Sequence, residues 1–159
     1  MNILITGVTG MVGSHLLDFL IDHTESNIVG LSRWRSPLNN ISRHIPTINR
    51  KERILLENCD IRDSIGVHNL FLNYKFDFIF HLAAQSYPHV SFTNPLETYQ
   101  TNIDGTENIL NATLKYSPKA IVHVCSSSEV FGRVPKEKVP IDEETNFHPA
   151  SPYAISKVG

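Results

Sequence analysis

The chain has 159 residues, with 14 Lys and Arg against 16 Asp and Glu, a formal net charge of −2 at pH 7. That length predicts one domain, and 41% hydrophobic with 19% charged residues describes an ordinary globular chain able to bury a core. The mild acidity gives no support for a nucleic-acid-binding surface, and no apolar run approaches the roughly 20 residues that span a bilayer.

The elements are read in chain order. Ile3–Thr6 is a short apolar strand that stops at Gly7. Met11–Asp22 has helical periodicity, with Val12, Leu16, Leu17, Leu20 and Ile21 apolar. Asn27–Leu31 is a second strand. Ser32–Asn49, polar and basic with Pro37 and Pro46, reads as a long loop. Arg53–Glu57 is a third strand, and Asp63 is positioned to cap a helix running to Asn73. Phe76–His81 is a densely apolar fourth strand. Pro95–Tyr116 reads as one long helix with Pro95 in its first turn. Ala120–Cys125 is a fifth strand, Ser126–Ala150 is loop-rich, and Ser151 caps a final helix that the chain end cuts off.

Continuous apolar strands alternating with helices predict an α/β fold, a doubly wound parallel sheet buried on both faces. Cys59 and Cys125 lie in apolar runs and read as buried free thiols, which points to a cytoplasmic protein. The N-terminus lacks a basic flank and a cleavage site, so no signal peptide is expected. The eight histidines show no metal-ligand spacing, and no metal is expected.

The chemistry collects at the expected C-terminal ends of the strands. Gly7-Val8-Thr9-Gly10-Met11-Val12-Gly13 lies between the first strand and first helix. In such a turn Gly7 permits the tight bend, Gly10 lets backbone approach a pyrophosphate, and Gly13 lets the helix pack on the sheet. Helix N–H groups then face the anion. A dinucleotide is the ligand this predicts. After the second strand, an NAD site usually has Asp or Glu for the ribose 2′-hydroxyl. Here Arg33 and Arg35 offer planar cations suited to a 2′-phosphate, so NADP is expected over NAD. Asp60, with Ile61 after it, falls where a carboxylate can accept from an adenine amino group, or alternatively begins a turn. Leu82, Ala83, Ala84, Gln85 and Ser86 follow the fourth strand, small enough at their start for a flat cofactor to pass close to backbone. His81 before them reads as a satisfied core histidine.

The last constellation decides the reaction class. Tyr153 and Lys157 are four apart and share one helix face. A phenol is a poor base at neutral pH, and a nearby ammonium stabilises its phenolate. Ser127, just past a strand end, can hydrogen-bond a reacting hydroxyl, and Glu129 follows two residues later.

Together these residues resemble the extended short-chain dehydrogenase/reductase superfamily, the NAD(P)-dependent sugar-nucleotide epimerases and dehydratases, in one register from Met1 to Lys157. The nearest resemblance within it is to the GDP-mannose 4,6-dehydratases. It is carried by Arg33, Leu82-Ala83-Ala84-Gln85-Ser86, Ser126-Ser127-Ser128-Glu129, Gly132-Arg133-Val134 and Pro149-Ala150-Ser151-Pro152-Tyr153. The chain departs from that pattern at Met11-Val12, where Gln-Asp is usual, at Ser127, where Thr is usual, and at Ala154, where Gly is usual. The resemblance implies a Rossmann fold, NADP as cofactor and a nucleotide-sugar substrate, GDP-mannose first. It adds Thr9, Met11, Val12, Tyr99 and Asn102 to the cofactor-binding residues, and makes Ser127, Glu129, Tyr153 and Lys157 catalytic. C4 oxidation, loss of water across C5 and C6, and hydride return are the implied steps, with Glu129 as the C5 base. An epimerase, a 4-keto-6-deoxy-sugar reductase, or a non-catalytic NADP-binding domain are the alternatives. By the same resemblance residues 1–159 form the dinucleotide-binding domain, truncated within the helix carrying Tyr153 and Lys157. The sugar-holding C-terminal domain is then absent. A homo-oligomer, dimer or tetramer, is expected through Pro95–Tyr116 and the final helix.

Overall fold

A computed structural model describes all residues, 1–159. The chain forms two compact units: Met1–Ala83 with Gly105–Cys125, and Ala84–Asp104 with Ser126–Gly159.

The first unit is a five-stranded, wholly parallel sheet. Its strands are β1 (Asn2–Thr6), β2 (Asn27–Ser32), β3 (Ile54–Asn58), β4 (Phe78–His81) and β5 (Ile121–Val124), in the order β3-β2-β1-β4-β5. The expected doubly wound α/β sheet is therefore present. β1 pairs in register with β2 from Asn2↔Asn27 to Thr6↔Leu31, and with β4 from Ile3↔Phe78 to Thr6↔His81. Alternate side chains of β1 feed opposite faces. Ile3 and Ile5 pack with Leu17 and Leu20 of α1 (Met11–His23) and with Ile28, Ile41 and Ile54. Leu4 packs instead with Val67, Leu70 and Phe71 of α3 (Ser64–Asn73) and with Ile109 of α6 (Gly105–Tyr116). Burying these side chains is the main stabilising term, about 1.5–3 kcal/mol for each large one. Asp63 caps α3 as expected, accepting from the N–H groups of Ile65 and Gly66 at 3.1 Å each.

The second unit holds α4 (Pro88–Thr93), α5 (Pro95–Tyr99), a π-helical segment Gln100–Asp104, and α7 (Pro152–Val158). Ser151 caps α7 as expected, its Oγ accepting from Ala154 N at 3.0 Å. No helix is long and apolar enough to cross a membrane.

Four expectations are corrected. The loop expected over Ser32–Asn49 contains a 3-10 turn, Asn39–His44, and the short helix α2, Ile45–Asn49. Pro46 sits in the first turn of α2, where its missing N–H is harmless, so it starts a helix instead of excluding one. The single helix expected over Pro95–Tyr116 is α5, the π-helical segment and α6. No Gly or Pro between Leu96 and Asp104 signals the change. α4 has no counterpart in the sequence reading. Finally, the cysteines are not both buried: Cys59 is half-buried and Cys125 exposed. Cys125 follows β5, an edge strand whose residues are largely exposed.

Candidate functional site

In the first unit the β1–α1 turn is shaped by missing side chains. Gly7 has φ +71°, and a Cβ there would lie 2.9 Å from both N and Cα of Ala83. A Cβ on Gly13 would fall inside the Gly7 carbonyl oxygen's contact radius and 2.9 Å from Val8 Cα. These are the tight turn and close helix packing expected of the two positions. Gly10 is the N-cap of α1 and supplies no side-chain acceptor. The first-turn N–H groups of α1, including those of Met11, Val12 and Gly13, thus keep the orphan character that suits an anion. Met11 and Val12 are exposed apolar side chains at that turn. Thr9 is held through its carbonyl, which accepts from Asn40 Nδ2 at 2.9 Å.

Beside this turn a cavity of about 470 Å³ lies between the ends of β2 and β3, lined by Arg33, Trp34, Arg35, Asn58, Cys59 and Asp60. The Asp60 carboxylate receives Arg62 Nη2 at 2.7 Å and Nε at 3.0 Å. That hydrogen bonding, with Arg33 contributing more weakly, holds the Asp60 carboxyl below its ordinary range. Burial pushes the neighbouring Cys59 thiol up to about 11, so it is protonated at neutral pH. Ile61 is a core residue, and its carbonyl accepts from Asn108 Nδ2 at 2.9 Å. After β4, Leu82 and Ala83 donate their backbone N–H groups to Thr6 Oγ1 at 3.1 and 3.0 Å.

This unit also supplies the fit for a dinucleotide. A side-chain-free N-cap presents helix N–H groups, and a cavity whose lining includes Arg33 and Arg35 beside Asp60 and Asp63 stands at the end of the next strand. The glycine turn suits a pyrophosphate, and Arg33 suits a phosphate or ribose hydroxyl.

In the second unit side-chain hydrogen bonds do the shaping. Asn102 is buried in the π-helical segment. Its Oδ1 accepts Gln85 N at 2.8 Å, while its Nδ2 donates to Gln85 O at 3.0 Å and Ser156 Oγ at 2.8 Å. Ser156 in turn donates to Tyr153 O at 2.7 Å. Gln85 Nε2 donates to Tyr87 O at 3.1 Å and Thr98 Oγ1 at 3.3 Å. Ala84 and Tyr99 are half-buried and Ser86 is exposed.

Ser127 caps a 3-10 turn, Ser128–Phe131, its Oγ accepting Glu129 N at 3.2 Å. The Glu129 carboxylate accepts the hydroxyl of Ser151 at 3.3 Å. Ser151 caps α7, so the turn carrying Ser127 and Glu129 is tied to the helix carrying Tyr153 and Lys157. Tyr153 is buried, and Lys157 Nζ lies 6.0 Å from its ring centroid. Two pairs of residues, Ser127 with Glu129 and Tyr153 with Lys157, more than 20 positions apart in sequence, are thereby brought into one constellation. Sequence reasoning missed the link from Ser151 to Glu129 and the role of Thr6. A polar residue ending an apolar strand, as Thr6 does, is the one signal that pointed to the latter. No group of three or more His, Cys, Asp or Glu side chains is arranged to hold a metal ion.

Residues 4–159 match the family described as GDP-mannose 4,6 dehydratase. The dTDP-glucose 4,6-dehydratase of Haemophilus influenzae is 32% identical over 165 residues, covering 99% of this chain and 48% of that protein. The GDP-mannose 4,6-dehydratase of Vibrio cholerae is 34% identical over 165 residues, covering 98% and 42%. The Thermus thermophilus UDP-glucose 4-epimerase, solved as a complex with NAD, superposes with TM-score 0.82 at 27% identity, covering 99% of this chain and 47% of that one. The chain spans about half the length of the curated relatives it matches.

Proposed function

Since the chain belongs to the GDP-mannose 4,6 dehydratase family, we propose that it carries the cofactor-binding and acid–base portion of an NADP-dependent sugar-nucleotide 4,6-dehydratase. GDP-mannose is the first substrate in this reading. The family and the Vibrio cholerae relative support it, and the Haemophilus influenzae relative makes dTDP-glucose the second to test. Arg33, with no acidic residue between Gly30 and Pro37, supports NADP over NAD. The single observation that carries the reaction class is the Glu129 carboxylate bonded to the N-cap of the helix bearing Tyr153 and Lys157.

In this reading Gly7, Gly10 and Gly13 with the α1 N–H groups hold the pyrophosphate, and Arg33 holds the 2′-phosphate. Asp60 lies beside the adenine, and Leu82 to Ser86 line the rest. When bound, NADP⁺ supplies the hydride acceptor. Tyr153 takes the proton of the C4 hydroxyl, and the Lys157 ammonium stabilises the resulting phenolate. The Ser127 oxygen already accepts a backbone N–H, which leaves its proton to donate to the C4 oxygen. With C4 a ketone, the C5 proton is acidic; Glu129 removes it and gives it to the departing C6 hydroxyl, which leaves as water. Homo-oligomeric assembly and a cytoplasmic location belong to the same reading and rest on the family resemblance and the thiols.

Glu129→Gln in the full natural chain tests it. The variant keeps its size and loses its base. It should still reduce bound NADP⁺ on adding GDP-mannose, while 4-keto-6-deoxy product falls at least about 10²-fold. Normal turnover would make Glu129 a bystander. A wild type that yields only C4-inverted sugar would replace the dehydratase with an epimerase. Turnover of dTDP-glucose alone would correct the sugar, and equal affinity for NAD and NADP would correct the cofactor.

A further inference from the structure

β1 and β4 are neighbours in the sheet, and the turns that follow them touch. Gly7 lacks room for a Cβ because Ala83 N and Cα are 2.9 Å from where it would stand. Behind this contact lies a buried polar chain. Thr6 is 0% exposed and His81 4%. Thr6 Oγ1 accepts the N–H groups of both Leu82 and Ala83. A hydroxyl has two acceptor sites and one proton. With both acceptor sites used, its proton is left for His81 Nδ1, 2.9 Å away. Nδ1 is therefore an acceptor, and the ring is neutral with its proton on Nε2. That nitrogen faces Thr106 Oγ1 at 3.0 Å and donates to it. The other tautomer, or an imidazolium, would aim an N–H at an oxygen with no lone pair left.

We propose that His81 is a positioning residue for the dinucleotide site. Held as the neutral Nε2–H tautomer, it takes the Thr6 hydroxyl proton and turns that oxygen's lone pairs onto Leu82 and Ala83. The turn after β4 is thereby fixed against the glycine turn after β1. A buried amide without its acceptor is costly, so the two N–H groups follow Thr6, and Thr6 follows His81. The functional part of this inference rests on the NAD(P)-binding reading above.

Two-bond ¹H–¹⁵N spectra of the ¹⁵N-histidine-labelled full chain, with His81 assigned by difference against His81→Asn, read the ring state directly. The Nε2–H tautomer is expected at neutral pH; the Nδ1–H tautomer or an imidazolium there overturns the proposal. Thr6→Val keeps shape and removes the hydroxyl, and should weaken NADPH binding at least about tenfold by fluorescence titration, with the far-ultraviolet circular dichroism unchanged. An affinity within about twofold of wild type overturns the proposal. Should Thr6→Val fail to fold, the histidine variants carry the test. His81→Asn offers an oxygen near the place of Nδ1 and should recover most of the affinity that His81→Phe loses; equal affinities overturn the proposal. Failure of the cofactor reading looks different: the tautomer is as stated, and wild type binds neither NADPH nor NADH.

Discussion

The two units place their chemistry by opposite means. In the first, the β1–α1 turn is built from atoms that are not there: Gly7 and Gly13 bring strand, helix and the segment after β4 closer than any Cβ allows. In the second, the positions of Glu129, Tyr153 and Lys157 depend on side-chain hydrogen bonds from Ser127, Ser151, Asn102 and Ser156. A site of the first kind is intolerant of any added atom and indifferent to which one. A site of the second kind depends on donors and acceptors, so partners matter more than volume.

The sharpest way to break this contrast is at Gly13. Gly13→Ala puts a methyl against the Gly7 carbonyl oxygen and Val8 Cα, both backbone and unable to give way. It should cost about 2–3 kcal/mol in urea unfolding and weaken dinucleotide binding with it. A cost below about 1 kcal/mol would show that the turn has slack. Asn102→Ala probes the second unit. It strands the N–H and C=O of Gln85 and removes the donor to Ser156, so roughly 2 kcal/mol of stability should go. Replacement without measurable cost would mean that packing alone holds α7. The smallest effect lies at the rim of the first unit. Arg62 holds the Asp60 carboxyl below its ordinary range, so the folded state binds that proton less readily than the unfolded one. The stability gained is present above the unfolded carboxylate value, near about 4, and is lost as pH falls through the lower folded value. Both side chains are partly exposed, which limits the pair to at most about 0.5 kcal/mol. Arg62→Ala should therefore lower the urea midpoint slightly at pH 7 and leave it unchanged at strongly acid pH. A loss that is the same at both would assign it to packing.

Local signals were legible wherever the chain itself supplies the partner. Asp63 and Ser151 cap helices that begin next to them, and Tyr153 and Lys157 share a face because four residues make about one turn. The glycine spacing carried its own steric meaning. What escaped was set from a distance. The π-helical segment lacks sequence punctuation of its own, and Pro46, which reads equally as a loop residue, opens α2. Cys125 was read as buried from its apolar neighbours, yet β5 is an edge of this sheet and leaves it exposed. The Ser151–Glu129 contact spans 22 positions, and the Thr6–His81 contact 75.

By itself the sequence determined the parallel α/β sheet, the strand-to-helix turn that can take a pyrophosphate, and the residue types available for acid–base chemistry. Periodicity, caps and glycines act within a few residues and are written in order. Only the tertiary structure decided that Thr6 uses both its acceptor sites, which fixes the His81 tautomer, and that Asn102 spends its amide on Gln85 and Ser156. It decided too that Glu129 meets the cap of the helix bearing Tyr153. Those outcomes depend on how many donors and acceptors converge on one buried atom, and a count of that kind exists only after distant segments have met.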